Sequence, residues 1–178
     1  MIHVDSSLDP HWAIVEAHER VGNGKREFAF HSTNRRLLDG IVLNLYKDNM
    51  LSWTGLFSRG GSDYCGAAIC AEGKQLVAIS NGALYIVDLE NPERYKPFGS
   101  ESTQGMFVVS DARCVVAYDY SYIWGFGTEG LSWMLETEAD GIQINNIFKS
   151  KLKGKLDIPG RGAVPFVVDA SIGKLIGN

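Results

Sequence analysis

The sequence predicts an all-β domain of antiparallel three- to four-stranded meanders that repeat about every 40 residues, as a propeller-like disc or a two-layer β array. Three observations predict this class. Short apolar runs alternate with Gly, Asn and Asp turns, similar segments recur at a steady spacing, and 20 of the 178 residues are glycine against 5 prolines. At this length one hydrophobic core is sufficient, so we expect residues 1–178 to form a single domain.

The N-terminal segment, residues 1–25, allows two interpretations. Asp9-Pro10 is typical of a helix start, which predicts a helix over residues 10–21. Alternatively, residues 12–20 and 25–32 form the two strands of a β-hairpin. The β-branched pair Ile14-Val15 slightly favours the hairpin, but the sequence leaves both interpretations open.

The repeat itself is visible in the middle of the chain. Residues 77–88 align with residues 116–127, and each segment reads as strand, short turn, strand. In the first segment, Asn81-Gly82 predicts a tight hairpin, because a type I′ turn needs two residues at positive φ. Leu51-Ser52-Trp53 and Leu131-Ser132-Trp133 are identical tripeptides separated by two repeat lengths. The sequence therefore divides into four blade-like units, at about residues 28–53, 67–95, 106–133 and 144–176.

Two segments each match part of the succession aromatic strand, Asp, Gly turn and Trp, namely Phe166-x-x-Asp169-x-x-x-Gly173 and Gly127-x-x-Gly130-x-x-Trp133. They resemble the closing segments of pyrroloquinoline-quinone-type β-propeller blades, which implies a propeller-like fold. The second unit departs from the pattern with Asn91-Pro92 in place of the glycine turn, and the second and fourth units lack the tryptophan. Four units are too few for the large quinone-binding propellers, so no cofactor site carries over and we expect no cofactor.

Charge and composition exclude several function classes. The formal net charge is −4, which argues against a nucleic-acid binder. Residues 88–140 carry 3 basic and 10 acidic groups, whereas residues 141–178 carry 6 and 2. With no signal-peptide pattern and no long apolar run, we expect a cytoplasmic protein without a membrane partner. The three cysteines are then free thiols, and they are Cys65, Cys70 and Cys114.

Residues 148–156 contain the clearest charge pattern. Lysines occupy every second position, which predicts one strand with a lysine face; they are Lys149, Lys151, Lys153 and Lys155. One interpretation is an exposed strand, for which a sheet edge is one placement, where lysines prevent edge-to-edge pairing. The other is a binding face for an acidic partner, such as residues 88–140 of another chain.

Aromatic residues alternate between Tyr118 and Phe126, and a single strand would place their rings on one face. The repeat alignment instead places a turn at Tyr120-Ser121, which favours ordinary core and cross-strand packing. The candidate ligand-stacking residues are Tyr120, Tyr122 and Trp124.

No pattern of a catalytic or metal site fits its required geometry. Ser150-x-x-Lys153 and Ser171-x-x-Lys174 need a helical face but lie in predicted strands or turns, and Cys65-x4-Cys70 has no zinc-site spacing. We therefore expect no catalytic residues and no metal. The favoured function is a non-enzymatic module that binds another protein, for example a bacterial immunity-type protein. The alternative is a small-molecule binder or hydrolase with an aromatic-lined pocket between β units. The sequence leaves a homo-oligomer, such as a homodimer, open.

Overall fold

The structure is a computed structural model, and it describes residues 2–17, 26–31 and 40–177. Over these residues it is built from strands and two short 3₁₀ turns, which confirms the predicted all-β class. The strands, in chain order, are β1 His3–Asp5, β2 Trp12–Glu16, β3 Glu27–Phe30, β4 Ile41–Lys47, β5 Met50–Phe57, β6 Gly66–Ile69, β7 Gln75–Ser80, β8 Ala83–Asp88, β9 Tyr95–Pro97, β10 Gly105–Val109, β11 Cys114–Tyr118, β12 Tyr122–Gly127, β13 Gly130–Glu136, β14 Gly141–Phe148, β15 Lys151–Ile158, β16 Gly162–Asp169 and β17 Lys174–Gly177.

The described strands form four sheets, numbered here 1 to 4 along the chain. Sheet 1 has the strand order β2-β4-β5-β3, sheet 2 the order β1-β6-β7-β8-β9, sheet 3 the order β10-β11-β12-β13 and sheet 4 the order β14-β15-β16-β17. Neighbouring strands are antiparallel except for β1 with β6 and β3 with β5, which are parallel. Sheets 3 and 4 are simple meanders, as the repeat predicts.

Three buried apolar layers join the sheets in series. The first layer lies between sheets 1 and 2, the second between sheets 2 and 3, and the third between sheets 3 and 4. Strand β7 shows how the sequence produces this arrangement. Leu76 and Ala78 face sheet 1, whereas Val77 and Ile79 face sheet 3. A strand covered on both sides needs a continuous apolar run, and β7 has one.

The predicted hairpin at Asn81-Gly82 is confirmed. Strands β7 and β8 pair through Ser80 and Ala83, which leaves these two residues as the turn. Their φ angles are 47° and 90°, the positive values that a type I′ turn requires.

The two interpretations of the N-terminal segment are both wrong in the described residues. Residues 12–16 form a strand, not a helix, and this strand pairs with β4. The predicted hairpin partner, β3, instead runs parallel to β5 at the opposite edge of the sheet. The proposed turn lies outside the described residues. Local pattern identified the strands, but their partners come from residues 41–57, which supply the two central strands.

No helix in the described part of the chain is long and apolar enough to cross a membrane. The three cysteines form no disulfide. Burial raises the pKa of Cys70 to about 12 and that of Cys114 to about 11, so both remain protonated, unreactive thiols near neutral pH.

Candidate functional site

The lysine-rich segment is not one strand, which corrects the prediction for residues 148–156. Strand β14 ends at Phe148 and β15 begins at Lys151, and these two residues pair directly across the turn. Lys149 lies in the turn with φ 55°, and its ammonium sits 5.7 Å from the Phe148 ring centroid. The spacing of the lysines did not reveal the turn, because lysine continues to occupy every second position through Lys149 and Ser150.

The other three lysines share one exposed face of β15. Lys151, Lys153 and Lys155 are exposed, while Leu152 and Leu156 on the opposite face are buried against sheet 3. We call the side of sheet 4 that carries these lysines the lysine face. Strand β15 is paired on both sides, so the placement at a sheet edge is wrong. The lysines project from the middle of an open sheet face.

Uncharged side chains lie opposite two of the lysines on this face, and the exposed Asp157 follows Lys155 on the same face of β15. Lys153 lies opposite Asn146 on β14 and Val167 on β16, and Lys155 lies opposite Gln143 and Pro165. The ion pairs found among the described residues do not include Lys151, Lys153 or Lys155. Their ammonium groups are therefore available to an external carboxylate.

Asp169 is the one acid paired in register with these lysines, opposite Lys151. Its Oδ1 accepts hydrogen bonds from the hydroxyl and, at 3.0 Å, from the amide N–H of Ser171. These bonds, with a smaller contribution from Lys151, lower the pKa of Asp169 below 3.8. The carboxylate is therefore ionised, and its hydrogen bonds to Ser171 hold it in the turn that follows β16.

The structure does not bring the three candidate stacking residues together. Tyr120 lies in the turn between β11 and β12, as the repeat alignment predicted, and is 49% exposed. Tyr122 and Trp124 lie on β12, with ring centroids 5.9 Å apart and planes inclined by 9°. Phe98 meets Trp124 edge-on at 5.5 Å. These rings pack into the second apolar layer, which is ordinary aromatic packing.

The separated rings border two different cavities. One, of about 440 Å³, lies at the ends of sheets 3 and 4 and is lined by Gln104, Tyr118, Tyr120, Asp140, Gly141, Ile142, Gln143, Lys155, Asp157 and Ala163. The other, of about 340 Å³, lies between sheets 2 and 3 and is lined by Phe98, Gly99, Ser100, Asp119, Tyr122, Trp124 and Met134. Tyr120 therefore belongs to a different site from Tyr122 and Trp124.

Two tryptophans connect neighbouring sheets, a role that the sequence reasoning missed. The indole N–H of Trp53 on sheet 1 donates to the Leu89 carbonyl of sheet 2 at 3.0 Å. The indole N–H of Trp133 on sheet 3 donates to the Ala170 carbonyl beside sheet 4 at 2.7 Å. The identical Leu-Ser-Trp tripeptides were the available signal, since both tryptophans make the same connection.

Glycine makes room for the second of these indoles. A Cβ atom at Gly125 would lie 2.1 Å from the Trp133 ring, and one at Gly173 would lie 2.4 Å from it. The two segments with the propeller-like spacing therefore meet around Trp133, which fixes sheet 3 against sheet 4.

No family model matches the sequence, and no curated protein matches it. Among solved structures, a chain in the S. cerevisiae complex of Dbp5 with Nup159, Gle1, IP6 and ADP is similar, with a TM-score of 0.46 and 12% identity over 98% of this chain. The N-terminal domain of Nup159 is similar with a TM-score of 0.44 and 14% identity over 100% of this chain. The chain spans 52% of each of those chains. Its function is therefore inferred from its own residues.

Proposed function

We propose that this protein is a non-enzymatic module that binds an acidic surface of another protein through the lysine face of sheet 4. The observation that carries the proposal is the open face itself. Sheets 2 and 3 are covered on both sides by neighbouring sheets, whereas the outward side chains of β15 are exposed.

The charge of the face determines the kind of partner. Lys151, Lys153 and Lys155 follow one another at every second residue of β15 and have no ion-pair partner among the described residues. Same-side residues on a strand are roughly 6.6 Å apart, within the Debye length at physiological salt, so their positive potentials add. A partner with several carboxylates at similar spacing relieves this repulsion. Residues 88–140 of a second copy are one such candidate.

Exposed polar side chains suit a reversible contact. Interfaces of this kind are polar at the rim and depend on charge for orientation and association rate. Phe148, 62% exposed at the end of β14, adds an apolar contact beside the lysines. The face is therefore suited to association with a folded protein surface.

The test is affinity capture from lysate of the source cells with the wild type and the variant K151Q/K153Q/K155Q. The control K47Q/K74Q/R113Q removes the same charge from β4 of sheet 1 and from the turns before β7 and β11. We expect one protein to bind the wild type and the control in stoichiometric amount, and to be lost from the lysine-face variant. The same protein should be released by about 0.5 M salt, where the Debye length is only a few ångströms. Equal capture by all three proteins would contradict the proposal.

The cavity around Tyr120 favours a second candidate function, small-molecule binding. Its volume of about 440 Å³ falls within the range of ligand pockets. Polar groups on several strands, among them Gln143 and Asp157, converge on it beside the exposed Tyr120 ring. A compound that raises the Tm of the wild type but not of Tyr120→Ala would support this function. Phe148→Ala, which removes an exposed ring elsewhere, is the control.

A further inference from the structure

The two inter-sheet tryptophans occupy corresponding positions in their hairpins. Trp53 pairs with Leu45 across β4 and β5, and Trp133 pairs with Gly125 across β12 and β13. Leu45 and Gly125 are separated along the chain by the same two repeat lengths as the two tryptophans. From each position the indole reaches the turn that follows the third meander strand of the next sheet. The junctions between sheets 1 and 2 and between sheets 3 and 4 are closed in this way.

The junction between sheets 2 and 3 has no tryptophan. Ile86, one repeat length before Gly125, pairs with Lys96 across β8 and β9. Lys96 therefore occupies the position in sheet 2 that Trp53 occupies in sheet 1 and Trp133 in sheet 3. Its side chain is exposed. An ammonium on a flexible stem stays in solvent and cannot fill the space that an indole fills.

A cavity of about 270 Å³ remains at this junction, and we call it the junction gap. It is lined by Gln75, Ile86, Asp88, Arg94, Lys96, Phe98, Glu129, Gly130 and Leu131. It lies between strand β9 and the turn before β13, which is where the other two junctions hold their indoles. Through Phe98 it adjoins the cavity that Tyr122 and Trp124 border.

Gln75, which lines the junction gap, carries a hydrogen-bond acceptor without a donor. The Oε1 atom of Gln75 is buried and has no hydrogen-bond partner. Leaving a buried acceptor unpaired is unfavourable, so such atoms usually mark a missing donor. At the other two junctions the donor to a buried acceptor is an indole N–H.

The charged groups at the rim of the gap that lack an ion-pair or hydrogen-bond partner in the described part of the chain are cations. Arg94 and Lys96 are exposed, and neither belongs to an ion pair found among the described residues. The nearby carboxylates are engaged. Lys74 pairs with Glu129, and Asp88 accepts the amide N–H groups of residues 90 and 91. The rim therefore favours ligand groups that carry carboxylates.

We propose that the junction gap binds a tryptophan side chain presented by an acidic segment of a partner protein. The indole fills the space between β9 and the turn before β13, the Gln75 side chain turns so that its Oε1 accepts the indole N–H, and flanking carboxylates meet Arg94 and Lys96. This site lies on a different part of the molecule from the lysine face. The two proposals are therefore tested independently.

The experiment selects a random peptide library displayed on phage against the immobilised full-length protein. The decisive variant is Lys96→Trp, which places an indole in the gap from the protein's own chain. Lys47→Trp makes the same change on β4 of sheet 1, outside both the gap and the lysine face, and is the matched control. We expect enriched peptides with one tryptophan and neighbouring Asp or Glu. They should bind wild type and Lys47→Trp alike, and bind Lys96→Trp at least about tenfold more weakly.

A second measurement tests the hydrogen bond itself. Replacing the peptide tryptophan by 1-methyltryptophan removes the N–H, and Gln75→Leu removes the acceptor. Each change alone should weaken binding about five- to tenfold, and the two together should weaken it no further than either alone. Gln75→Leu should not lower the Tm, because it removes an acceptor that has no donor in the unbound protein.

Three outcomes would overturn the proposal. One is a selection that enriches no peptide, or only peptides without tryptophan. Another is undiminished binding of the selected peptides to Lys96→Trp. The third is a concentration-dependent dimer, seen by analytical ultracentrifugation, that Lys96→Trp abolishes, since a second copy would then occupy the gap.

Discussion

Sheets 2 and 4 share the meander but differ in what covers them. In sheet 2, strand β7 is buried on both faces, with Leu76 against sheet 1 and Val77 against sheet 3. In sheet 4, strand β15 buries Leu152 and exposes Lys153. The comparison shows that the surroundings of a blade-like sheet determine its composition. A strand covered on both faces, such as β7, has a continuous apolar run, and a strand with one open face, such as β15, alternates.

The largest expected effect comes from exchanging the residue types of these two strands. Val77→Lys buries an ammonium in the second apolar layer without a partner, because Val77 is 0% exposed. We expect it to lower the free energy of unfolding by at least about 4 kcal/mol. Lys153→Val keeps the strand and removes only an exposed charge, and should change it by no more than about 0.5 kcal/mol. Urea denaturation of both variants measures the difference, and similar losses would contradict the comparison.

The glycine turns of the two sheets give a smaller contrast. Gly82 in sheet 2 has φ +90°, and a Cβ atom there would lie 2.5 Å from Ser62 Oγ and 2.7 Å from the Glu101 carbonyl oxygen. Gly160 in sheet 4 has φ +75° with nothing within 4 Å of the Cβ position. Both alanine variants carry the strain of a positive φ, but only Gly82→Ala adds a clash. Its cost should be about 3 kcal/mol, against about 1 kcal/mol for Gly160→Ala.

Thermal unfolding of Gly82→Ala and Gly160→Ala by calorimetry separates the clash from the backbone strain. An equal fall in Tm for both variants would show that the clash at Gly82 adds no destabilisation beyond that of its positive φ.

The sequence was sufficient for the parts of this comparison that depend on local pattern. Period-two alternation located Lys151, Lys153 and Lys155 on one face, and Asn81-Gly82 located its hairpin, because both signals lie within a few consecutive residues. The repeat spacing likewise predicted the meanders.

Contacts between distant residues were beyond local pattern. The turn at Lys149-Ser150 was missed, because no Gly or Asn marks it and the lysine alternation continues through it. The pairing of β2 with β4 joins segments that are far apart in the sequence. The junction gap becomes visible only when the partners of Trp53 and Trp133 are known.

The next effect concerns the lysines as a group. The variant K151Q/K153Q/K155Q removes three like charges from one exposed face, so it should leave the free energy of unfolding within about 1 kcal/mol of the wild type. In sheet 2, replacing Leu76, Val77 and Ile79 by glutamine would remove buried apolar side chains from the first and second layers. Guanidinium denaturation with circular dichroism detection measures both variants. A large loss from the lysine variant would mean that the lysines support the fold.

The smallest effect is the ionisation of Asp169 beside the lysine face. Its folded-state pKa is lowered, so the stabilisation it provides is present above its unfolded pKa and is lost as pH falls through the folded pKa. Ser171→Ala removes the hydroxyl donor and should raise the pKa of Asp169 back towards 3.8. Carboxyl-carbon NMR titration measures this shift, and an unchanged pKa would show that the hydroxyl is not its main cause.

Lysine footprinting tests the central claim, that the lysine face binds a partner, most directly. Acetylation rates are measured by mass spectrometry for the purified protein and for the protein in native lysate of the source cells. We predict that Lys151, Lys153 and Lys155 react readily when the protein is pure and are protected in lysate, while Lys47 and Lys74 react equally in both. Protection should disappear at about 0.5 M salt. Equal reactivity of the three lysines in both samples would contradict the account.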